Sequence, residues 1–167
     1  MSAVQLVHLQ EKHLSTMTQL ANNIKIATNL KDYFPHPYHL KDAYEFYQLV
    51  KEEKPPRTFV IEFKGEFCGI IGLTLKSDIY RHSADLGYWI GESFWGQGIT
   101  TKAIQLMVQY AFGELALQRL AANVFEYNAV SMKVLEKNGF VSEGILKNGA
   151  IKDQQLIDLY LYGITKS

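Results

Sequence analysis

The chain is predicted to fold as an α/β (α+β) domain, a central mixed sheet of about seven strands flanked by about four helices. Three observations lead there. Runs rich in β-branched and aromatic residues, such as Thr58–Phe63 and Phe67–Leu75, alternate with stretches whose apolar residues recur at helical spacing. Short polar breaks, several carrying glycine, separate them. The length of 167 residues, with 47% hydrophobic and 20% charged residues, suits one domain over 1–167 around one shared core.

The elements follow in chain order. Val4–Leu9 alternates as a first strand, and His13–Asn22 places Leu14, Met17 and Leu20 on one helical face. Asn23–Leu40, interrupted by Asn29, Asp32, Pro35 and Pro37, is expected to be a structured loop with short turns. A second helix begins near Lys41, turns Ala43, Phe46, Tyr47 and Val50 to one side, and ends before the Pro55-Pro56 loop. Thr58–Phe63 and Phe67–Leu75 form a hairpin across Lys64-Gly65-Glu66, where glycine supplies a positive φ. Ala84–Gly91 is a strand. Thr100–Phe112 is a helix with Ala103, Met107, Tyr110 and Ala111 inward and Gly113 as its C-terminal cap. Gln118–Glu126 is a further strand, and Asn128 caps a helix that Asn138-Gly139 ends. Phe140–Leu146 and Leu156–Ile164 are the last strands, joined across Asn148-Gly149 or across the polar stretch up to Gln155.

Composition narrows the function. A formal net charge of zero argues against nucleic acid as the main partner, because phosphate binding draws on a surplus of Lys and Arg. Cys68 is the one cysteine, so no intrachain disulfide forms; its apolar neighbours place it in a buried strand rather than as a nucleophile. Met1-Ser2-Ala3-Val4 lacks the basic region and apolar stretch of a targeting segment, and no run of eighteen apolar residues occurs. A cytoplasmic setting with no membrane partner is expected. No metal is expected either, since His8, His13, His36, His39 and His82 show no ligand spacing joined to carboxylates or thiols. The last strand, Asp158–Tyr162, suits either a dimer edge or a place inside the sheet, which leaves monomer and homodimer open.

The stretch Asp85–Ala103 reads as a strand, a glycine-rich turn and a helix start. Such a junction points several unpaired backbone N–H groups at one spot, where the helix dipole favours negative charge, and a pyrophosphate fits there. Gly96 and Gly98 permit close backbone approach, and Thr100 and Thr101 add hydroxyl donors. The plain alternative is a tight strand-to-helix connection. Two other phosphate loops fail on spacing. A Walker loop ends in Gly-Lys-Ser/Thr, whereas Ile99 follows Gly98; a dinucleotide fingerprint wants a small residue where Thr101 stands and an acid nearer than Glu126.

Trp95-Gly96-Gln97-Gly98-Ile99-Thr100 and, at the matching interval, Asn128-Ala129-Val130-Ser131 with Leu135-Glu136-Lys137-Asn138-Gly139-Phe140 resemble the two signature blocks of the GNAT superfamily. The likeness is greatest to its branch of ribosomal-protein N-terminal acetyltransferases. Asn29-Leu30-Lys31-Asp32-Tyr33-Phe34-Pro35-His36-Pro37-Tyr38 is similar to a segment of some members of that branch. The resemblance covers nearly the whole chain and implies the GNAT fold, with a twisted, mostly antiparallel sheet. It implies acetyl-CoA as cosubstrate. Trp89, Ile90 and Gly91 would then offer backbone groups to the pantetheine and carbonyl. Trp95, Gly96, Gln97, Gly98, Ile99, Thr100 and Thr101 would hold the pyrophosphate, and Asn128 and Ser131 would line the pantetheine and thiol end. Trp95 stands where the signature has Gln or Arg, and Thr100 where it has a small residue. On residue chemistry alone, Asn128 is a helix cap and Ser131 a first-turn residue.

The implied reaction is direct attack by a neutral primary amine, of a protein N-terminus or a small molecule, on the thioester carbonyl. Asn29, Asp32, Phe34, His36 and Tyr38 would lie near this acceptor; the alternative is that the aromatics pin a long loop to the core. Asp85 is the candidate general base, with His36 and His82 as further candidates and an ordinary strand aspartate as the other reading. Ser131 is the candidate proton donor to the thiolate, because Leu135 occupies the position where many members carry Tyr. The acid that related enzymes carry in the last hairpin is replaced near Ala150. Those two departures motivate the alternative of a non-catalytic acyl-CoA-binding or sensor protein with the same fold.

Overall fold

The computed structural model describes residues 3–167. Its strands are β1 (Val4–Val7), β2 (Thr58–Phe63), β3 (Glu66–Leu75), β4 (Ser83–Ile90), β5 (Arg119–Phe125), β6 (Val141–Lys152) and β7 (Gln155–Thr165). The α-helices are α1 (Leu14–Ala21), α2 (Ile24–Ala27), α3 (Leu40–Lys51), α4 (Ile99–Gly113) and α5 (Ala129–Lys137). The seven strands make one mixed sheet in the order β1-β2-β3-β4-β5-β7-β6. β1–β2, β2–β3, β5–β7 and β6–β7 run antiparallel, and β4–β5 runs parallel. α1, α3, α4 and α5 are the four helices expected. α2 is a single turn inside the segment read as loop, formed because the Asn23 side chain accepts the N–H of Lys25 and caps it.

One local expectation is corrected and two open alternatives are decided. Gly113 is the last residue of α4 and not its left-handed cap; the chain reverses at Ala116 (φ 54°), where the Leu117 N–H reaches back to the Ala111 carbonyl. The last hairpin turns at Asp153 (φ 50°) and Gln154 (φ 65°), the later of the two proposed places. Asn148-Gly149 makes a bulge within β6 instead, held because Asp158 on β7 accepts the Asn148 N–H at 2.8 Å. β7 lies between β5 and β6, so Asp158–Tyr162 is not a sheet edge.

By packing, the chain divides into two compact units: residues up to Gly72 with Tyr88–Ala103, and Leu73–Gly87 with Ile104–Ser167. In the first, β2 and β3 form a hairpin through Lys64 (φ 53°) and Gly65 (φ 81°), the paired positive φ that a two-residue turn requires. Leu14, Met17 and Ala21 of α1, Ala43 of α3, and Val60 and Ile70 of the hairpin share one buried cluster, against which Phe46, Tyr47 and Val50 pack. Each large apolar side chain so buried contributes about 1.5–3 kcal/mol, which fixes α1 and α3 on this part of the sheet.

In the second unit Leu120, Leu135 and Phe140 are buried, and the Tyr162 hydroxyl donates to Glu136 at 3.0 Å. The β4–β5 ladder runs from Ser83–Arg119 to Asp85–Ala121 and stops there, although β5 continues to Phe125. Backbone groups beyond Asp85 and Ala121 thus leave that ladder. Among the described residues no helix is long and apolar enough to cross a membrane.

Candidate functional site

β4 ends at Ile90, and the chain passes through Gly91 into a 3-10 turn at Glu92–Phe94 before Trp95 returns to extended conformation. Gly96 (φ 74°) and Gly98 (φ 76°) then take left-handed conformations that side-chain-bearing residues rarely adopt. A Cβ built at either glycine meets nothing within 4 Å, so space beside the turn is open. The Gly98 carbonyl accepts the first helical bond, from the Lys102 N–H at 3.2 Å, which makes Gly98 the N-cap of α4. Glycine has no side chain with which to cap. The N–H groups of Ile99, Thr100 and Thr101 therefore have no intrahelical partner, and the first turn carries no acid to offset the dipole. α5 differs, because Asn128 Oδ1 accepts the Ser131 N–H at 3.3 Å. The start of α4 thus presents N–H groups without intrahelical partners beside open space, the kind of geometry in which helix N-termini hold anions.

Side chains fix this turn from within. The Trp95 indole Nε1 donates to the Ile90 carbonyl at 2.9 Å, and Gln97 Nε2 donates to the Ser93 carbonyl at 3.2 Å. Ile99 is buried and anchors the helix start, while Thr100 and Thr101 are half-buried. The Gly91 N–H donates to the Cys68 carbonyl at 2.7 Å. Two of the groups expected to be open to pantetheine, the Gly91 N–H and the Ile90 carbonyl, are therefore already bonded within the chain. The cause is the close approach of β3. A Cβ at Gly69 would collide with the Trp89 carbonyl oxygen and come within 2.8 Å of Ile90 Cα, so Gly69 is a position only glycine fits. Sequence reading passed over it, since a lone glycine in a strand signals close approach without saying to what.

The segment expected near the acceptor is pinned by its aromatic residues. Phe34 lies 5.1 Å from Tyr38 and 5.9 Å from Trp89, edge-on to the latter, and Trp89 lies 6.1 Å from Phe67. Tyr38 is buried, and burial with the nearby Asp42 charge pushes its hydroxyl up to about 12, so it stays a neutral phenol. Asn29 Nδ2 donates to the Lys25 carbonyl at 3.2 Å. Asp32 and His36 are exposed. The structure thus joins the loop residue Phe34 to Trp89 at the end of β4.

The acid-base candidates stand as follows. Asp85 is half-exposed and pairs with Lys76, Oδ1 to Nζ at 3.4 Å. His36 and His82 are exposed, and Leu135 is fully buried. Cys68 is fully buried, and burial pushes its thiol up to about 11, which rules it out as a thiolate nucleophile at neutral pH. Lys76, Glu92 and its partners Asn23 and Lys25 went unnoticed in the sequence, where nothing local marks a pair such as Lys25 and Glu92.

The profile of the acetyltransferase (GNAT) domain family matches residues 4–141. YdaF of Bacillus subtilis (strain 168), a candidate ribosomal N-acetyltransferase by name, is 36% identical over 104 residues, covering 62% of this chain and 56% of that protein. The spermidine N(1)-acetyltransferase of Escherichia coli (strain K12) is 28% identical over 145 residues, covering 86% of this chain and 76% of that protein. Over its first four curated relatives the chain spans 53% to 61% of their length, a little over half. A solved ribosomal-protein alpha-N-acetyltransferase, RimL in complex with coenzyme A, shares the fold with a TM-score of 0.87 at 23% identity, over 99% of this chain and 95% of that one.

Proposed function

We propose that this chain, which belongs to the GNAT acetyltransferase family, transfers the acetyl group of acetyl-CoA to the α-amine of a protein N-terminus, residues 1–167 acting as one catalytic domain. The observation that carries this reading is the turn at Gly96 and Gly98, whose left-handed glycines and uncapped first helical turn suit a pyrophosphate. In the reaction the amine nitrogen bonds to the thioester carbonyl carbon and the carbon–sulfur bond breaks. The sulfur gains a proton, and the acceptor ammonium gives one up. The backbone from Gly96 to Thr101 is assigned to the pyrophosphate. Asn128 and Ser131 are assigned to the pantetheine and thiol end, with Ser131 as proton donor. Asp85 is assigned to removing the amine proton, directly or through water.

For the acceptor, Asn29, Asp32, Phe34, His36 and Tyr38 are the proposed contacts. Residues 22–38 contain one carboxylate, Asp32, against Lys25 and Lys31. A polycation such as a polyamine is poorly matched to that balance, whereas a peptide N-terminus brings one ammonium. The name of YdaF supports the same acceptor class. A thiol-release assay with acetyl-CoA, peptides beginning with Ser or Ala, and spermidine tests it. The reading expects turnover with peptides; turnover with spermidine and none with peptides overturns the acceptor assignment.

A second reading, an acyl-CoA sensor without catalysis, is favoured by the burial of Leu135 and by the Lys76 partner of Asp85. Acetyl-CoA binding without turnover on any peptide, amino acid or polyamine acceptor selects it.

A further inference from the structure

Residues 22–38 form a closed loop tied to the end of β4 at two places. Asn22 Oδ1 accepts the Tyr38 N–H at 3.0 Å, which joins the two ends of the loop in the manner of a compact Ω-loop. One tie is the edge-on contact of Phe34 with Trp89. The other is a carboxylate. Glu92 Oε2 accepts from Lys25 Nζ at 2.7 Å, and Glu92 Oε1 accepts from Asn23 Nδ2 at 2.9 Å. Both donors belong to the start of α2: Asn23 Oδ1 caps it through the Lys25 N–H, and the Lys25 carbonyl in turn accepts from the Asn29 side chain. Glu92 therefore grips the residues that order the loop, and it does so from the short turn that leads into Trp95 and the two left-handed glycines. The bond from Lys25, then that from Asn23, holds the Glu92 carboxyl below its ordinary range, so it is charged at neutral pH.

We infer that Glu92 is a positioning residue: its carboxylate fixes the 22–38 loop on the segment entering the Gly96–Gly98 turn, and so sets affinity for the acceptor without taking part in acetyl-CoA binding. The kinetic half of this inference rests on the acetyltransferase reading above, and the structural half rests on the hydrogen bonds alone. An isolated exposed ion pair contributes little. Here one carboxylate satisfies two donors from the same helical turn, and that turn organises a loop closed on itself, so loosening the pair frees more than two side chains.

The test uses the full chain with Glu92→Gln, Glu92→Lys, Lys25→Glu and the double swap Lys25→Glu/Glu92→Lys. Hydrogen exchange over residues 22–38, calorimetric titration with acetyl-CoA, and rates with a Ser-initiated peptide are measured on each. The single variants are expected to speed exchange in the loop and raise the acceptor KM about fivefold, with kcat and acetyl-CoA affinity unchanged. The swap regains the ion pair but not the bond from Asn23, which an ammonium cannot accept, so it is expected to recover loop exchange and KM in part relative to either single variant. Loop exchange that is unchanged in all single variants, or a swap that behaves as badly as either single, overturns the clamp. Faster exchange with unaltered KM overturns the link to the acceptor. If the wild-type chain binds acetyl-CoA yet acetylates no acceptor, the functional reading fails, and the exchange pattern alone upholds or removes the clamp.

Discussion

The indole N–H of Trp95 donates to the carbonyl oxygen of Ile90 at 2.9 Å, tying the glycine turn back to the strand that precedes it. The bond consumes an acceptor at the end of β4 and fixes where the turn begins. Trp95→Phe keeps the ring and removes the donor, so the turn loses one anchor and leaves a carbonyl unpaired. A neutral hydrogen bond contributes about 1 kcal/mol. Titration calorimetry is expected to show weaker acetyl-CoA binding by up to about tenfold. An unchanged Kd would remove the indole from any part in shaping the turn.

At Gly98 the backbone, and not crowding, forbids a side chain. A Cβ there meets nothing within 4 Å, while the φ of 76° is unfavourable for any L-residue. Gly98→Ala is expected to cost about 1–2 kcal/mol of stability. Gly98→Glu costs a similar amount in thermal unfolding but also places a carboxylate at the helix N-terminus, and it should abolish acetyl-CoA binding. Equal binding by the two variants would disprove the anion assignment.

Gly69 presents the opposite case, a position closed by sterics. Its Cβ would meet the Trp89 carbonyl and Ile90 Cα, both backbone, so neither can swing aside. Gly69→Ala should destabilise the chain by about 3 kcal/mol or more, visible as a lower Tm. It should also disturb the Gly91–Cys68 bond next to the turn. A Tm equal to wild type would refute the close approach of β3 and β4 at this point.

His13 makes stability pH-dependent. It is buried beside Phe67, its Nδ1 accepts the Gln10 N–H at 3.0 Å, and its Nε2 has no partner among the described residues. Burial first, and Lys12 second, lower its pKa below the ordinary value of 6.5. The folded state therefore resists protonation that the unfolded state accepts. Stability is full above pH about 6.5 and falls as the pH drops from there through the lowered folded value. Unfolding midpoints across pH 5 to 8 are expected to fall on the acid side, and to fall less steeply in His13→Phe. Parallel curves for the two proteins would dismiss His13 as the titrating group.

Much of the fold was legible because its signals are local. Lys64-Gly65 announces a tight turn by backbone conformation alone, and Asn128 announces a helix start by a side chain that bonds within its own turn. The glycines at 96 and 98 belong to the same kind. Gly113 misled because the helix runs on through it and the chain reverses only at Ala116, where the Leu117 N–H meets the Ala111 carbonyl. The choice between Asn148-Gly149 and the later turn rested on a distant partner, since Asp158 on the neighbouring strand captures the Asn148 N–H. Glu92 and Lys25 were invisible, because 67 residues separate them and only the packed loop brings them together. The functional candidates divide likewise: the turn proposed for the pyrophosphate is written in consecutive residues, whereas the proposed role of Asp85 depends on its neighbours, and Lys76 was not foreseen.

The central claim is that amide protons at the start of α4 bind the pyrophosphate of acetyl-CoA. Titrating acetyl-CoA into 15N-labelled protein and following each amide by NMR tests it most directly. The account predicts large, saturable shifts for Gly98, Ile99, Thr100 and Thr101, reproduced in part by a pyrophosphate-containing fragment such as ADP. Saturable binding that leaves those amides unmoved would contradict it.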